Sequence, residues 1–350
     1  MNKGKISYEG KKVSVGIDVH KEFYVVCVVC EGLVVKRCRM PAKAASVVNF
    51  IARYLSGAEV KTCYEAGFSG FSLHRYLEQS GVNNIVIHAA SIEVAARDRV
   101  KTDKRDSVKL ATQLDAGRLR GIRIPTESEE RKRLLTRSRE QLSRMMTRVR
   151  NQFKMKLHQF GVLGAERKRI LSYKIAQEVA KECKVVELKL SLESLLSVWG
   201  CLRREKKQLE RELMKQAASD ELESVWRSIP GIGALSSRVL SNELGDMSQF
   251  PNERALFSFT GLTPGEYSSG EHIRRGRISR QGNGRLRHIL VEAAWRAIRV
   301  DELLRESFER IGARQGKKRA IVAIARKLVG RARAVFRTKR AYELGYRKAA

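Results

Sequence analysis

Acidic side chains are scarce in this chain: 38 Asp and Glu stand against 70 Lys and Arg in 350 residues, a formal net charge of +32. A field of that sign favours nucleic acid or an anionic membrane surface. Long apolar runs are missing as well. None approaches the roughly 20 residues needed to span a bilayer, and residues 1–12 are polar and basic, without the apolar core of a secretory signal. The expectation is a cytoplasmic protein, nucleoid-associated when bound to DNA, with no membrane partner. Cysteine is sparse too, and six thiols in a chain of this size indicate reduced cysteines rather than a disulfide framework. Cys27 and Cys30 make one C-x-x-C, but no second pair follows at zinc-finger spacing. Period-two alternation sets the two on opposite faces of a strand, as packing residues. No nucleotide-binding glycine loop is visible either.

Apolar residues are plentiful at 43%, enough for the cores of two or three domains. The positive charge is uneven. Residues 271–350 carry 23 Lys/Arg against 7 Asp/Glu, and residues 131–170 carry 13 against 2. Polyanion contact is therefore expected to centre on those two stretches.

Three β-rich runs, 13–18, 23–30 and 33–38, are separated by short links and predict an antiparallel meander. A helix (44–55), a strand (60–65), a helix (71–79), a strand (84–88) and a helix (106–119) follow. The order β-β-β-α-β-α-β-α is that of a ribonuclease-H-like fold, in which the first and fourth strands lie side by side. From Thr126 to about Asp220 the pattern is helical. Leu188, Leu195, Leu202 and Leu209 recur every seven residues, with Leu192, Trp199 and Leu213 between them. An earlier helix carries Leu135, Leu142, Val149, Phe153 and Leu157, and Gly161 and Gly164 mark a turn between the two. An antiparallel coiled coil that self-associates and a helical pair packed within one monomer both satisfy this pattern.

Ser228-Ile229-Pro230-Gly231-Ile232-Gly233 ahead of a helix over 234–244 has the form of a helix-hairpin-helix. There Gly231 and Gly233 would let backbone N–H groups approach a DNA phosphate; the alternative is an ordinary tight helical turn. A glycine- and arginine-rich stretch follows, with Arg274, Arg275, Arg277, Arg280, Arg285 and Arg287, suited to wrapping phosphates. The last helix, read as Lys317 to Tyr342 and headed by Lys317 and Lys318, adds further candidate DNA contacts.

Against this basic background, Asp18, Glu65, Asp103 and Asp106 each stand where an apolar strand ends or a helix begins. Carboxylates are hard oxygen ligands for Mg²⁺ or Mn²⁺, and four acids are about what a two-metal phosphoryl-transfer site needs. Singly, Glu65 reads equally well as a surface residue, Asp103 as a cap and Asp106 as a first-turn charge. Their joint placement is what favours a metal site.

Gly16-Ile17-Asp18, Cys63-Tyr64-Glu65-Ala66, Lys101-Thr102-Asp103-Lys104-Arg105-Asp106, Ile229-Pro230-Gly231-Ile232-Gly233, Gly261-Leu262-Thr263-Pro264 and Arg277-Ile278-Ser279 resemble, in this order, motifs of the DEDD transposases of insertion-sequence family 110, relatives of the Piv-type DNA invertases. The resemblance implies a RuvC-like (RNase H-like) metal domain over 1–125, a coiled-coil helical region over 126–222, and a mainly helical transposase domain with helix-hairpin-helix over 223–350. It further implies an essential serine shortly after Gly-Leu-Thr-Pro, which maps to Ser269, with Ser268 beside it as the alternative. The implied activity is DNA strand cleavage and exchange through a phosphoserine, guided by a structured non-coding RNA, in a homodimer or homotetramer. A RuvC-like nuclease using the same acids with water is the rival reading, and a non-enzymatic basic scaffold with a degenerate metal site the third.

Overall fold

The structure, a computed structural model, describes residues 7–93, 103–162, 171–269, 272, 274–338 and 341–345. The chain divides into two compact units, Met1–Ile124 and Pro125–Ala350.

In the first unit β1 (Lys12–Val19), β2 (Phe23–Cys30) and β3 (Leu33–Pro41) form the meander. The β2–β3 link is two residues, Glu31 and Gly32, both at positive φ (52° and 79°). That backbone is the one whose twist matches a right-handed hairpin. Next come α1 (Ala44–Tyr54), β4 (Glu59–Glu65), α2 (Ser72–Gln79), β5 (Asn83–Ile87) and α3 (Asp103–Asp115). The helix expected over 106–119 thus starts and ends earlier, and Gly117 at positive φ follows its end. The sheet order is β3-β2-β1-β4-β5, antiparallel among the first three strands and parallel from β1 to β4 to β5. Strand 1 therefore lies beside strand 4, as expected.

Alternation along β1 divides the core. Val13, Val15 and Ile17 join Tyr64, Val47 and Leu77 in one cluster, under α1 and α2. Cys63, Ile87, Leu110 and Leu114 form another under α3, with Cys27, Val29 and Ala111 beside it. Cys27 and Cys30 belong to different clusters, as their spacing required, and both are buried free thiols.

In the second unit α4 (Glu127–Gln159) opens on a capping box in which Thr126 and Glu129 satisfy each other's backbone N–H. It is followed by α5 (Tyr173–Glu182) and α6 (Val186–Ala218). Helices α4 and α6 run antiparallel: Arg139 bonds Glu210 at one end, and Phe153 meets the Trp199 ring edge-on at 6.4 Å further along. Two details differ from the heptad reading. Leu196 is buried where Leu195 is only partly so. Helix α5 also packs Ala176, Val179 and Ala180 into the same buried cluster, against α6. Gly164 lies outside the described residues.

The remainder is α7 (Leu222–Ser228), α8 (Ala234–Leu244), α9 (Glu253–Thr260), β6 (Pro264–Glu266), β7 (Arg275–Ile278), α10 (Gly284–Val300), α11 (Glu302–Gln315) and α12 (Lys317–Thr338). These helices share one core around Trp226, Leu240, Leu256, Leu290 and Leu328. The last helix is shorter than expected. Tyr342 lies beyond it, its hydroxyl bonded to Asp301 and Arg331 and its backbone N–H to Ser228, so the tail closes back on α7 and α11.

Candidate active-site elements

Asp18 and Glu65 are neighbours through strand register. Ile17 pairs with Tyr64 across the parallel β1–β4 ladder, so the next residue on each strand is a carboxylate at the strand's C-terminal end. Gly16 and Cys63, two residues back, face α3, and the period of two brings Asp18 and Glu65 to that same face. Ligand sites in sheets with parallel strands form outside such ends.

Helix α3 is held against this face by Gly16. A Cβ there would lie 2.4 Å from the Ala111 nitrogen, 2.4 Å from the Ser107 carbonyl oxygen and 2.8 Å from the Leu110 Cβ. Only a residue without a side chain lets the helix backbone come so close to the strand. Asp106 adjoins buried Ser107 and is half-buried. Asp103 is the first residue of α3, and its side chain lies outside the described residues. Among the described residues, no three His, Cys, Asp or Glu side chains are gathered as ready ligands for a metal. The donor set itself, carboxylate oxygens at strand ends and a helix start, is the kind that Mg²⁺ or Mn²⁺ takes.

His20 escaped the sequence reading. Its Nε2 is 3.1 Å from Asp18 Oδ2, and its ring stacks on Phe23 at 4.6 Å, with the Arg39 guanidinium 3.6 Å from the Phe23 ring centre. The signal available was an Asp-x-His at a strand end.

In the second unit Ser269 sits on a hairpin. Tyr267 N–H donates to the Arg274 carbonyl, and Ser269 and His272 exchange backbone hydrogen bonds at 3.2 Å. The two serines differ in what their hydroxyls do. Ser268 donates to Glu266 Oε1 at 2.9 Å and accepts from the Arg274 N–H at 3.2 Å, closing the hairpin. Ser269 is exposed, and its hydroxyl makes no hydrogen bond among the described residues.

The expected DNA contacts divide in the same way. Arg274, Arg277, Arg280, Lys317 and Lys318 are exposed. Arg285 instead pairs with Glu140 of α4, and Arg287 donates to the Thr260 carbonyl at 3.2 Å. The side chain of Arg275 lies outside the described residues. The two glycines of the link between α7 and α8 do different work. Gly231, at φ 84°, faces the α10 backbone, where a Cβ would meet the Ala293 carbonyl oxygen at 2.3 Å. Gly233 is exposed, caps α8 and has open space around it.

Two family models match the chain. A DEDD-type IS110 transposase model covers residues 15–162, from β1 through α4, and the model described as "Transposase IS116/IS110/IS902 family" covers residues 224–309. Among relatives, the y4qE protein of Sinorhizobium fredii is 29% identical over 67% of this chain and 57% of its own length. The transposase for insertion sequence element IS1533 of Leptospira borgpetersenii is 28% identical over 81% of this chain and 85% of its own. The transposase for IS1111A of Coxiella burnetii is 26% identical over 89% and 86%. The chain thus spans just over half of the first relative and most of the other two. The first matched segment contains the strand-end acids and the second the serine hairpin, and the chain belongs to the IS110/IS116 family of DNA transposases.

Proposed function

We propose that this chain cuts and rejoins DNA at the ends of a mobile element through a covalent phosphoserine at Ser269. The observation that carries this reading is the division of labour between the two serines: Ser268 is committed to the hairpin, while Ser269 offers an exposed hydroxyl. In the reaction the Ser269 Oγ bonds to the scissile phosphorus, one strand leaves as a hydroxyl, and the Oγ proton passes to solvent or a base. The reverse step, attack by a different strand's hydroxyl, completes exchange with no other energy source because one phosphodiester is traded for another.

Asp18, Glu65, Asp103 and Asp106, at the ends of a ribonuclease-H-like (RuvC-like) sheet and the start of α3, are the residues that would hold Mg²⁺ or Mn²⁺. When bound, that cation supplies Lewis-acid polarisation of the phosphate. His20 orients the Asp18 carboxylate. Exposed Arg274, Arg277, Arg280, Lys317 and Lys318 neutralise DNA phosphates. Guidance by a structured non-coding RNA and assembly as a homodimer or homotetramer complete the reading; the positive charge supports the first, and the need to join two duplexes the second.

The test is capture of a protein–DNA adduct on a denaturing gel, with DNA from the element's ends and Mg²⁺. The wild type and Ser268→Ala are expected to form it and Ser269→Ala to lose it. Continued Mg²⁺-dependent cutting by Ser269→Ala, without adduct, would establish the water-using nuclease instead.

A further inference from the structure

Tyr267 and Phe68 are the two most exposed large apolar side chains among the described residues, at 80% and 74%. Each stands beside one candidate chemical centre. Phe68 is three residues past Glu65, and Tyr267 two before Ser269. A scattered apolar side chain on a surface needs no explanation; the two extremes of exposure at these two places do.

Both rings are displayed on turns that are held in place. Phe68 occupies a corner of the turn Gly67–Gly70, closed by a Gly70 N–H to Gly67 carbonyl bond of 3.2 Å. The far end of that turn is pinned from below, because the fully buried Tyr64 donates its hydroxyl to the Gly70 carbonyl at 3.1 Å and accepts from the His74 N–H at 3.3 Å. Tyr267 lies against the β6–β7 hairpin, and Cβ atoms built on Gly265 and Gly276 would come within 3.8 and 3.6 Å of its ring carbons. Glycine at both positions lets one edge of the ring lie near the hairpin backbone while most of the ring stays exposed. Around Tyr267 stand exposed Glu266, Ser268, Ser269, Arg274 and Arg277. Aromatic faces on a cationic surface are how proteins hold unpaired bases, the charge following the backbone and the ring taking the base.

We propose that Tyr267 and Phe68 are nucleobase-stacking residues, each receiving on its exposed face an unpaired base of a DNA strand held at the candidate centre of its own unit. This rests on the assignment of Ser269 and Glu65 to the chemistry. Stacking keeps a strand's end ordered after cutting, when pairing no longer holds it.

The test is binding of the full chain to labelled single-stranded oligothymidylate of about 20 nucleotides, beside an abasic strand of equal length and charge. Tyr267→Ala and Phe68→Ala are each expected to weaken oligothymidylate binding about tenfold, the ordinary size of one aromatic–base stack. The abasic affinity should stay unchanged, and Tyr267→Phe should bind as wild type. Equal losses on both strands, or none on either, would overturn the proposal. So would a larger loss on oligouridylate than on oligothymidylate, which would assign the rings to RNA. Thermal melting of each variant controls for folding, and no shift is expected for side chains so exposed. Ser269→Ala separates the two readings: if it still exchanges strands, the serine assignment fails while the stacking result stands or falls by itself.

Discussion

Gly16 decides how near α3 comes to the strand that carries Asp18. Its replacement by alanine places a methyl group within 2.4 Å of two backbone atoms of the helix, and backbone cannot step aside as a long side chain can. Gly16→Ala is expected to destabilise the protein by about 3 kcal/mol, the upper range of core overpacking, measured by urea unfolding. Metal-dependent strand cutting should fall with it, because Asp106 moves with the helix. Gly231→Ala is the counterpart in the second unit, combining positive φ with a clash against the Ala293 carbonyl. If its glycine served only to admit a phosphate, stability would hold and DNA binding alone would drop; the expected outcome is the reverse, lost stability. At this scale the sequence made the acids visible, since charge at the end of an apolar strand stands out. It could not reveal that Gly231 serves packing, because α10, which it touches, lies some sixty residues on. Nor could it separate Ser268 from Ser269, a distinction made by where Glu266 and Arg274 fall on the hairpin.

Among the elements, α4, α8 and α10 are tied together by one buried carboxylate. Glu243, at 1% side-chain exposure, accepts both Nε and Nη2 of Arg137 at 2.9 Å and the Asn283 amide at 3.0 Å, with Arg133 Nε 3.9 Å away. Asn283 in turn caps α10, so the segment carrying the serine hairpin ends on the same anchor. Glu243→Ala strands these donors and is expected to cost about 3 kcal/mol, as removal of one partner of a buried ion pair does. Arg137→Ala should cost less, because that guanidinium is 41% exposed and Arg133 and Asn283 stay on Glu243. Chemical unfolding of the two variants checks the order. The same anchor joins the helical hairpin to the C-terminal helices. Helical periodicity is a local signal and detects stripes. Which stripe meets which, and that α5 packs on α6, follows from packing alone.

For the whole molecule, charge sets how it meets DNA and how it answers to pH. With +32 charges, affinity should fall steeply with salt, and Arg277→Ala is expected to reduce the slope of log affinity against log salt by about 1. An unchanged slope would remove Arg277 from the phosphate contacts. In the second unit Arg238, 2% exposed, holds Asp220 and Glu223. Burial would raise the Asp220 carboxyl, but hydrogen bonds from Ser241 and Arg238 prevail and hold it below the ordinary aspartate range. A lowered carboxyl adds stability above its unfolded value and loses it as pH falls through the folded one. Burial pushes Glu223 up instead, with hydrogen bonding from Ser237 and the charge of Arg238 opposing; it therefore takes stability away as pH rises from the ordinary glutamate value through the raised one. Asp220→Asn should flatten the loss of melting temperature below about pH 4, and Glu223→Gln the loss above it.

By itself the sequence determined the strand and helix order of the first unit, the strand-end acids, the reduced cysteines on opposite faces, and the family, because each is written in local periodicity or short motifs. Only the tertiary structure decided what each motif residue touches: that His20 bonds Asp18, that Arg285 and Arg287 are spent on Glu140 and Thr260, and that Tyr342 turns back onto Asp301. Those outcomes depend on partners far along the chain, and pairing across that distance follows from the close packing of whole elements rather than from the spacing of residues within one.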